Sequence, residues 1–188
     1  MNLGSENILA TLQSDYAGAA AHEMRTLLQD LHRRERIEYL AREIKKSFPA
    51  AAIDTATIVA LDDDELPLSC SVKFRLPLAA EGAVWSLFQF GAMDVATPLS
   101  ERRTYPLQFR HPQTVVDSIF ITGNGLWQLE TDAAEATYEH PCATYRFTCL
   151  QPGKEFVLVK RFILHQPFVS HAEYASFYDL LRHMAQTD

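Results

Sequence analysis

Polar and apolar positions follow three different rhythms along this chain. Residues 8–16 alternate loosely, as a strand with one buried side does, and Gly18 closes the run. From 19 to 48 the spacing becomes helical. Met24, Leu27, Leu28 and Leu31 form one apolar stripe, and Ile37, Leu40, Ala41, Ile44 and Phe48 form a second. The polar patch His32-Arg33-Arg34-Glu35 between the stripes predicts a break, hence two helices. Pro49 ends the region and biases Phe48 out of the helix. From 53 onward the period is two. Residues 53–61 predict a strand, Asp62-Asp63-Asp64-Glu65 a turn, and 66–78 the cleanest alternation in the protein. There Leu68, Cys70, Val72, Phe74 and Leu76 share one side of a pleat, with Ser69, Ser71, Lys73 and Arg75 on the other.

Further strands are expected at 84–90, 104–109, 114–121, 126–129, 134–138, 143–150 and 156–164. Turns are expected at Gly123-Asn124-Gly125 and Gln151-Pro152-Gly153-Lys154. The tail ends in a third helix whose start is readable from spacing. Ser170 stands three residues before Glu173, as in a capping box, and Val169 and Tyr174 are placed as a hydrophobic staple. Tyr174, Phe177, Tyr178, Leu181 and Met184 then make an apolar stripe that needs a sheet to bury against. These patterns predict an α+β fold: an Ig-like antiparallel β-sandwich, two helices before it and one C-terminal helix packed on the sheet. Residues 1–52 would form a strand plus helical region and 53–188 the sandwich with its helix. A seam is expected near 91–103, and the whole could form one compact unit.

Composition narrows the function classes. With 17 Lys+Arg against 24 Asp+Glu the formal net charge is −7, which argues against general nucleic-acid binding. No run approaches the ~20 apolar residues of a membrane span. The first residues lack the basic start and apolar core of an export signal. Cys70, Cys142 and Cys149 are odd in number, so no complete disulfide framework is available. Cys142 and Cys149 read as one strand, about 23 Å apart and facing opposite ways, and so should not bridge.

Candidate chemistry is sparse. A cysteine nucleophile would pair Cys142 with His140, His111 or His165 and with Asp117 or Asp132. It would also need an acid-shifted thiol, and strand positions do not supply one, so structural thiols are the expectation. The seven histidines show no metal-binding spacing, and Asp62–Glu65 lacks the alternating ligands and glycine of a calcium loop. No metal or cofactor is expected. The cations of the helical region, Arg25, Arg33, Arg34, Arg36, Arg42, Lys45 and Lys46, are interleaved with acids and read as a solvated face. Docking of a neighbouring domain, centred on Arg33 and Arg34, is the alternative. Trp85, Phe88, Phe90 and Trp127 read as core. If Trp85 and Trp127 are exposed instead, they would suit a glycan or peptide.

The order of parts resembles the C-terminal region of bacterial transglutaminase-like proteins. The residues carrying the resemblance are the strand at 9–16 entering Gly18-Ala19-Ala20-Ala21 and a helix with Arg25, then Phe48-Pro49-Ala50, and then Leu66-Pro67-Leu68. After these come Arg103-Thr104-Tyr105-Pro106-Leu107, Lys160-Arg161-Phe162-Ile163-Leu164 running to Pro167, and Glu173-Tyr174-Ala175-Ser176-Phe177-Tyr178-Asp179-Leu180. Where that family has a fuller Leu-Pro-x-Gly-Tyr turn, this chain has Thr122-Gly123-Asn124-Gly125-Leu126. The resemblance implies a non-catalytic, β-rich accessory domain. Its partner would be an upstream papain-like catalytic domain of the same polypeptide, or else a protein or glycan. It also implies a location outside the cytoplasm. The catalytic Cys, His and Asp of that family lie in the core, which nothing here matches.

Overall fold

The computed structural model describes residues 7–77, 103–122, 135–151 and 155–186. The order is β1 (Asn7–Gly18), α1 (Ala19–Gln29), α2 (Arg33–Ser47), β2 (Ala52–Val59), β3 (Leu68–Pro77), β4 (Leu107–Gln108), β5 (Gln113–Thr122), β6 (Glu135–His140), β7 (Ala143–Leu150), β8 (Glu155–Leu164), β9 (Phe168–Val169) and α3 (Tyr174–Gln186). The expected strands at 84–90 and 126–129, the turns at 123–125 and 152–154, most of the seam, and both tryptophans lie outside the described residues.

Seven strands form one antiparallel sheet in the order β2-β3-β1-β5-β8-β7-β6, and β4 pairs with β9 separately. The α+β class, the antiparallel sheet and the two-plus-one placement of helices are as expected, and the layering is sandwich-like. An Ig-like pair of facing sheets is not formed by the described residues, because all seven long strands share one hydrogen-bonded order. The helices take the second layer instead. Phe48 at the end of α2 meets Phe74 of β3 with ring centroids 5.4 Å apart. Phe177 and His183 of α3 meet His140 and Tyr138 of β6 at 5.4 and 4.4 Å. These partners all belong to one face of the sheet.

The burial pattern follows from that arrangement. On β3 the alternation expected from sequence holds: Leu68, Cys70, Val72, Phe74 and Leu76 are buried. In β1 the even residues Ile8, Ala10, Leu12, Ser14 and Tyr16 point the same way and pair with them. The opposite face is partly or fully exposed along β1, β5 and β8.

Two local features fix how the helices leave the sheet. Gly18 has φ of +63°, a left-handed conformation that favours glycine, and a Cβ there would meet the Pro112 carbonyl at 3.3 Å. It turns β1 directly into α1. At the other end, α1 stops at Gln29 and α2 starts at Arg33, so the expected break falls at 30–32, one residue group earlier than the polar patch suggests. Glu35 accepts the His32 backbone N–H at 2.7 Å, and Arg36 Nε donates to the Leu28 and Leu31 carbonyls at 2.7 and 2.9 Å. Arg36 therefore ties the frayed end of α1 to α2, rather than standing in solvent. The two helical stripes are less completely buried than expected: Leu27 and Ile37 remain 42% and 40% exposed. The expected strand at 104–109 shrinks to Leu107–Gln108, paired with β9 just ahead of α3.

Candidate functional site

Register brings together a polar row that sequence distance conceals. Across the covered face, Cys70 of β3 is opposite Ser14 of β1, Ser14 is opposite Asp117 of β5, and Asp117 is opposite Lys160 of β8. Ser14, Asp117 and Lys160 are all buried. Such groups are costly unless hydrogen-bonded. Ser14 Oγ and Asp117 Oδ1 are buried without a hydrogen-bond partner of good geometry. Burial pushes the Asp117 carboxyl up to about 7, against the pull of the Ser14 hydroxyl and the Lys160 charge. Burial likewise brings the Lys160 ammonium down to about 7, against the attraction of Asp117. Tyr16, on the same face, is pushed up by burial and by the Asp117 charge. Opposed titrating groups in one buried row can exchange a proton.

The cysteine alternative expects an activated thiol at Cys142, and the described surroundings of that thiol differ from this expectation. Cys142 lies in the two-residue turn between β6 and β7, not in a strand with Cys149 as expected. It is 1% exposed, and its Sγ donates to the Phe168 carbonyl at 3.2 Å. Burial, and then the Glu173 charge, raise its thiol above the ordinary value, the opposite of an activated nucleophile. His140 Nδ1 accepts the Cys142 backbone N–H at 3.1 Å and its Nε2 is 3.3 Å from the Glu173 carbonyl, so the ring braces the turn against α3. His165 Nε2 is 2.9 Å from the Thr144 hydroxyl instead. Asp117, two strands across from β7, pairs with Lys160, four positions along β8 from the Leu164 beside this turn, so it is more than about 13 Å away. His111 is exposed, and Asp132 lies outside the described residues. Burial pushes Cys70 up to about 12 and raises Cys149. Among the described residues no group of three His, Cys, Asp or Glu could hold a metal ion.

Of the residues proposed from sequence as a partner surface, Arg33 and Arg34 open α2 and are exposed. With Ile37 and Glu38 they line an open depression of about 600 Å³. Arg34 Nε is 2.8 Å from Glu38 Oε1, an exposed i,i+4 pair worth little. Trp85 and Trp127 lie outside the described residues. Sequence reasoning missed Arg25, which it placed on a solvated face. Its guanidinium is buried and reaches the β2–β3 loop. Nε donates to the Ala60 carbonyl at 3.2 Å, and one terminal nitrogen donates to the carbonyls of Asp63, at 2.7 Å, and Leu66. Asp64 lies 3.6 Å from Nε. This clamp holds Ala60 at φ of 58°, a conformation unfavourable for a residue with a Cβ. The acidic turn 62–65 is therefore shaped by a buried cation. The capping box does form: Ser170 Oγ donates to Glu173 Oε2 at 2.6 Å and accepts the Glu173 N–H at 3.3 Å, while the Ser170 N–H donates to Oε2 at 3.3 Å. The hydroxyl and backbone N–H of Ser170 hold the Glu173 carboxyl below its usual range.

The described part of the molecule is thus a helix-covered antiparallel sheet with an internal polar row. Residues 87–188, just over half of the chain, match a family described as a domain of unknown function with solved structure (DUF3858), and the chain belongs to that family. No curated protein matches the chain, and neither does any solved structure. Among the described residues no helix is long and apolar enough to cross a membrane.

Proposed function

We propose that this chain is a non-catalytic accessory domain of a transglutaminase-like protein, supporting or gating an upstream papain-like core or holding a partner for it. The observation that carries this reading is the state of the thiols. All three cysteines are buried with raised pKa values, and Cys142, the one with histidines nearby, spends its S–H on a backbone carbonyl. A domain whose thiols are not activated fits a supporting role beside a core that would supply an activated one. Support also comes from the motif order, whose later segments, from Arg103 to Leu180, fall inside the matched stretch.

Two measurements test the proposal. Iodoacetamide at pH 7 should modify the native chain far more slowly than the urea-unfolded chain at all three cysteines. Rapid, selective labelling of Cys142 would reinstate a cysteine enzyme. The coding sequence ahead of residue 1 should encode a papain-like core, and a sequence without one would remove the accessory role.

A further inference from the structure

Three sets of contacts bring the start of α2 and the β2–β3 turn to one corner of the molecule. Gln29 Nε2, at the end of α1, donates to the Leu61 carbonyl at 3.2 Å. Arg25 holds the turn from Ala60 to Leu66 along the same helix. Arg36 ties the start of α2 to the Leu28 and Leu31 carbonyls. The corner lies at the Leu68 end of β3, about 30 Å of strand away from Pro77. Its two halves differ in sign. α2 carries six cations and three carboxylates, within a chain of net charge −7. The turn carries Asp62, Asp63, Asp64 and Glu65, all exposed. Each half also has an apolar member. Ile37, 40% exposed, lines the α2 depression with Arg33, Arg34 and Glu38, and Leu66, 55% exposed, follows the carboxylates. Within one copy the halves do not pair. Among the described residues Arg33 has no ion pair, Arg34 is bonded to Glu38, and the ion pair of the turn is Asp64 with Arg25.

We propose that the α2 depression is a docking site for the acidic turn of a second copy of this chain, the two copies being related by a two-fold axis through this corner. A two-fold contact needs a self-complementary surface. Adjacent halves of opposite sign meet that need, because the rotation sets the turn of each copy against α2 of the other and makes the contact twice. Arg33 and Arg34 of one copy then meet carboxylates of the other, for which the planar guanidinium is suited by its parallel donors. Leu66 of one copy covers Ile37 of the other, so the apolar members match as well as the charges. The turn is also a prepared occupant. Arg25 already fixes its backbone, so docking orders little further chain. The contact is small. A standard interface uses roughly 20 to 30 residues a side, more than this corner offers, so the dimer is weak and exchanges with monomer. The proposal is independent of the accessory-domain reading.

Sedimentation velocity of the 188-residue chain tests this, at about 150 mM salt, where the mutual repulsion of two chains of net charge −7 is screened beyond about 8 Å. The dimer fraction should rise several-fold between about 10 and 500 μM protein. Arg33→Glu with Arg34→Glu makes both halves acidic, and Asp62→Lys with Glu65→Lys makes both basic. All four side chains are exposed. Each double variant alone should stay monomeric over the same range. An equimolar mixture of the two should form dimers again, because every contact is then between opposite charges. A wild-type chain that is monomeric throughout would overturn the proposal and leave the depression to an acidic partner other than this chain. Dimers of either variant alone would put the self-contact on another surface and so refute it. A mixture that stays monomeric, with both variants folded by circular dichroism, would do the same. A mass that grows past two copies would rule out the two-fold arrangement.

Discussion

Replacing Asp117→Asn removes a carboxyl buried in the centre of the sheet while keeping its shape, and the consequence has a definite sign. The Asp117 pKa is raised on folding from an ordinary 3.8 to about 7, chiefly by burial. A raised carboxyl contributes stability that is fully present below its unfolded pKa and is lost as pH rises toward the folded one. Each pKa unit corresponds to about 1.4 kcal/mol. Integrating both titrations between pH 5 and pH 7 gives a loss of about 2 kcal/mol for the native chain that the Asn variant does not suffer. Lys160 acts in the other range. Its pKa falls from 10.5 to about 7, so its contribution is present above the unfolded value and is lost as pH falls toward 7. In the folded state it is about half protonated at pH 7 and mostly protonated by pH 6, so within the interval it adds only about 0.4 kcal/mol, of opposite sign, near the upper end. The assay is urea unfolding followed by far-UV circular dichroism at pH 5, 6 and 7, for both proteins. The free-energy difference should move in favour of the variant by about 2 kcal/mol over that interval. Parallel curves, with the difference constant, would refute the buried, titrating carboxyl.

Other residues carry their own expectations. Arg25→Met should cost about 2 to 4 kcal/mol, because three charge-assisted contacts to the β2–β3 loop vanish. The endoproteinase Asp-N should then cut at Asp62–Asp64 in the folded variant and spare the parent; equal cleavage would mean that the clamp does not order the loop. Ser170→Ala should lower stability by about 1 kcal/mol in urea unfolding near neutral pH, the usual value of a lost N-cap. A neutral result would show that α3 is held by Phe177 and Leu180 alone.

Local structure was legible where one residue's environment is set by its near neighbours in sequence. The period-two pattern of β3 and the Ser170–Glu173 cap came through intact, because a pleat or a helix turn encodes them within a few residues. Strand order was not legible. Nothing near Ser14 announces that β1 will lie between β3 and β5, and so nothing announces the meeting of positions 14, 117 and 160. Arg25 was misplaced for a similar reason. An arginine amid Glu23 and other charged residues looks solvated, and only the return of the chain at 60–66 supplies the carbonyls that bury it. Ile37 was misplaced in the opposite sense: it keeps helical spacing with Leu40 and Ile44, yet lies at the start of α2, beyond the reach of the sheet.

The central position of the first strand has a consequence for synthesis. A nascent chain that has emerged through residue 77 can already assemble β2, β3 and β1, but one side of β1 then offers unsatisfied backbone groups until β5 arrives at 113–122. For that interval the growing protein exposes an unprotected, ten-residue-long edge whose side chains include Ala10, Leu12 and Tyr16, a template for pairing with another chain. The matched stretch 87–188, produced by itself, would have the complementary defect along β5. Aggregation during expression, rather than weakness of the finished fold, is therefore the hazard this topology carries, and it is relieved only when the two ends of the sequence meet.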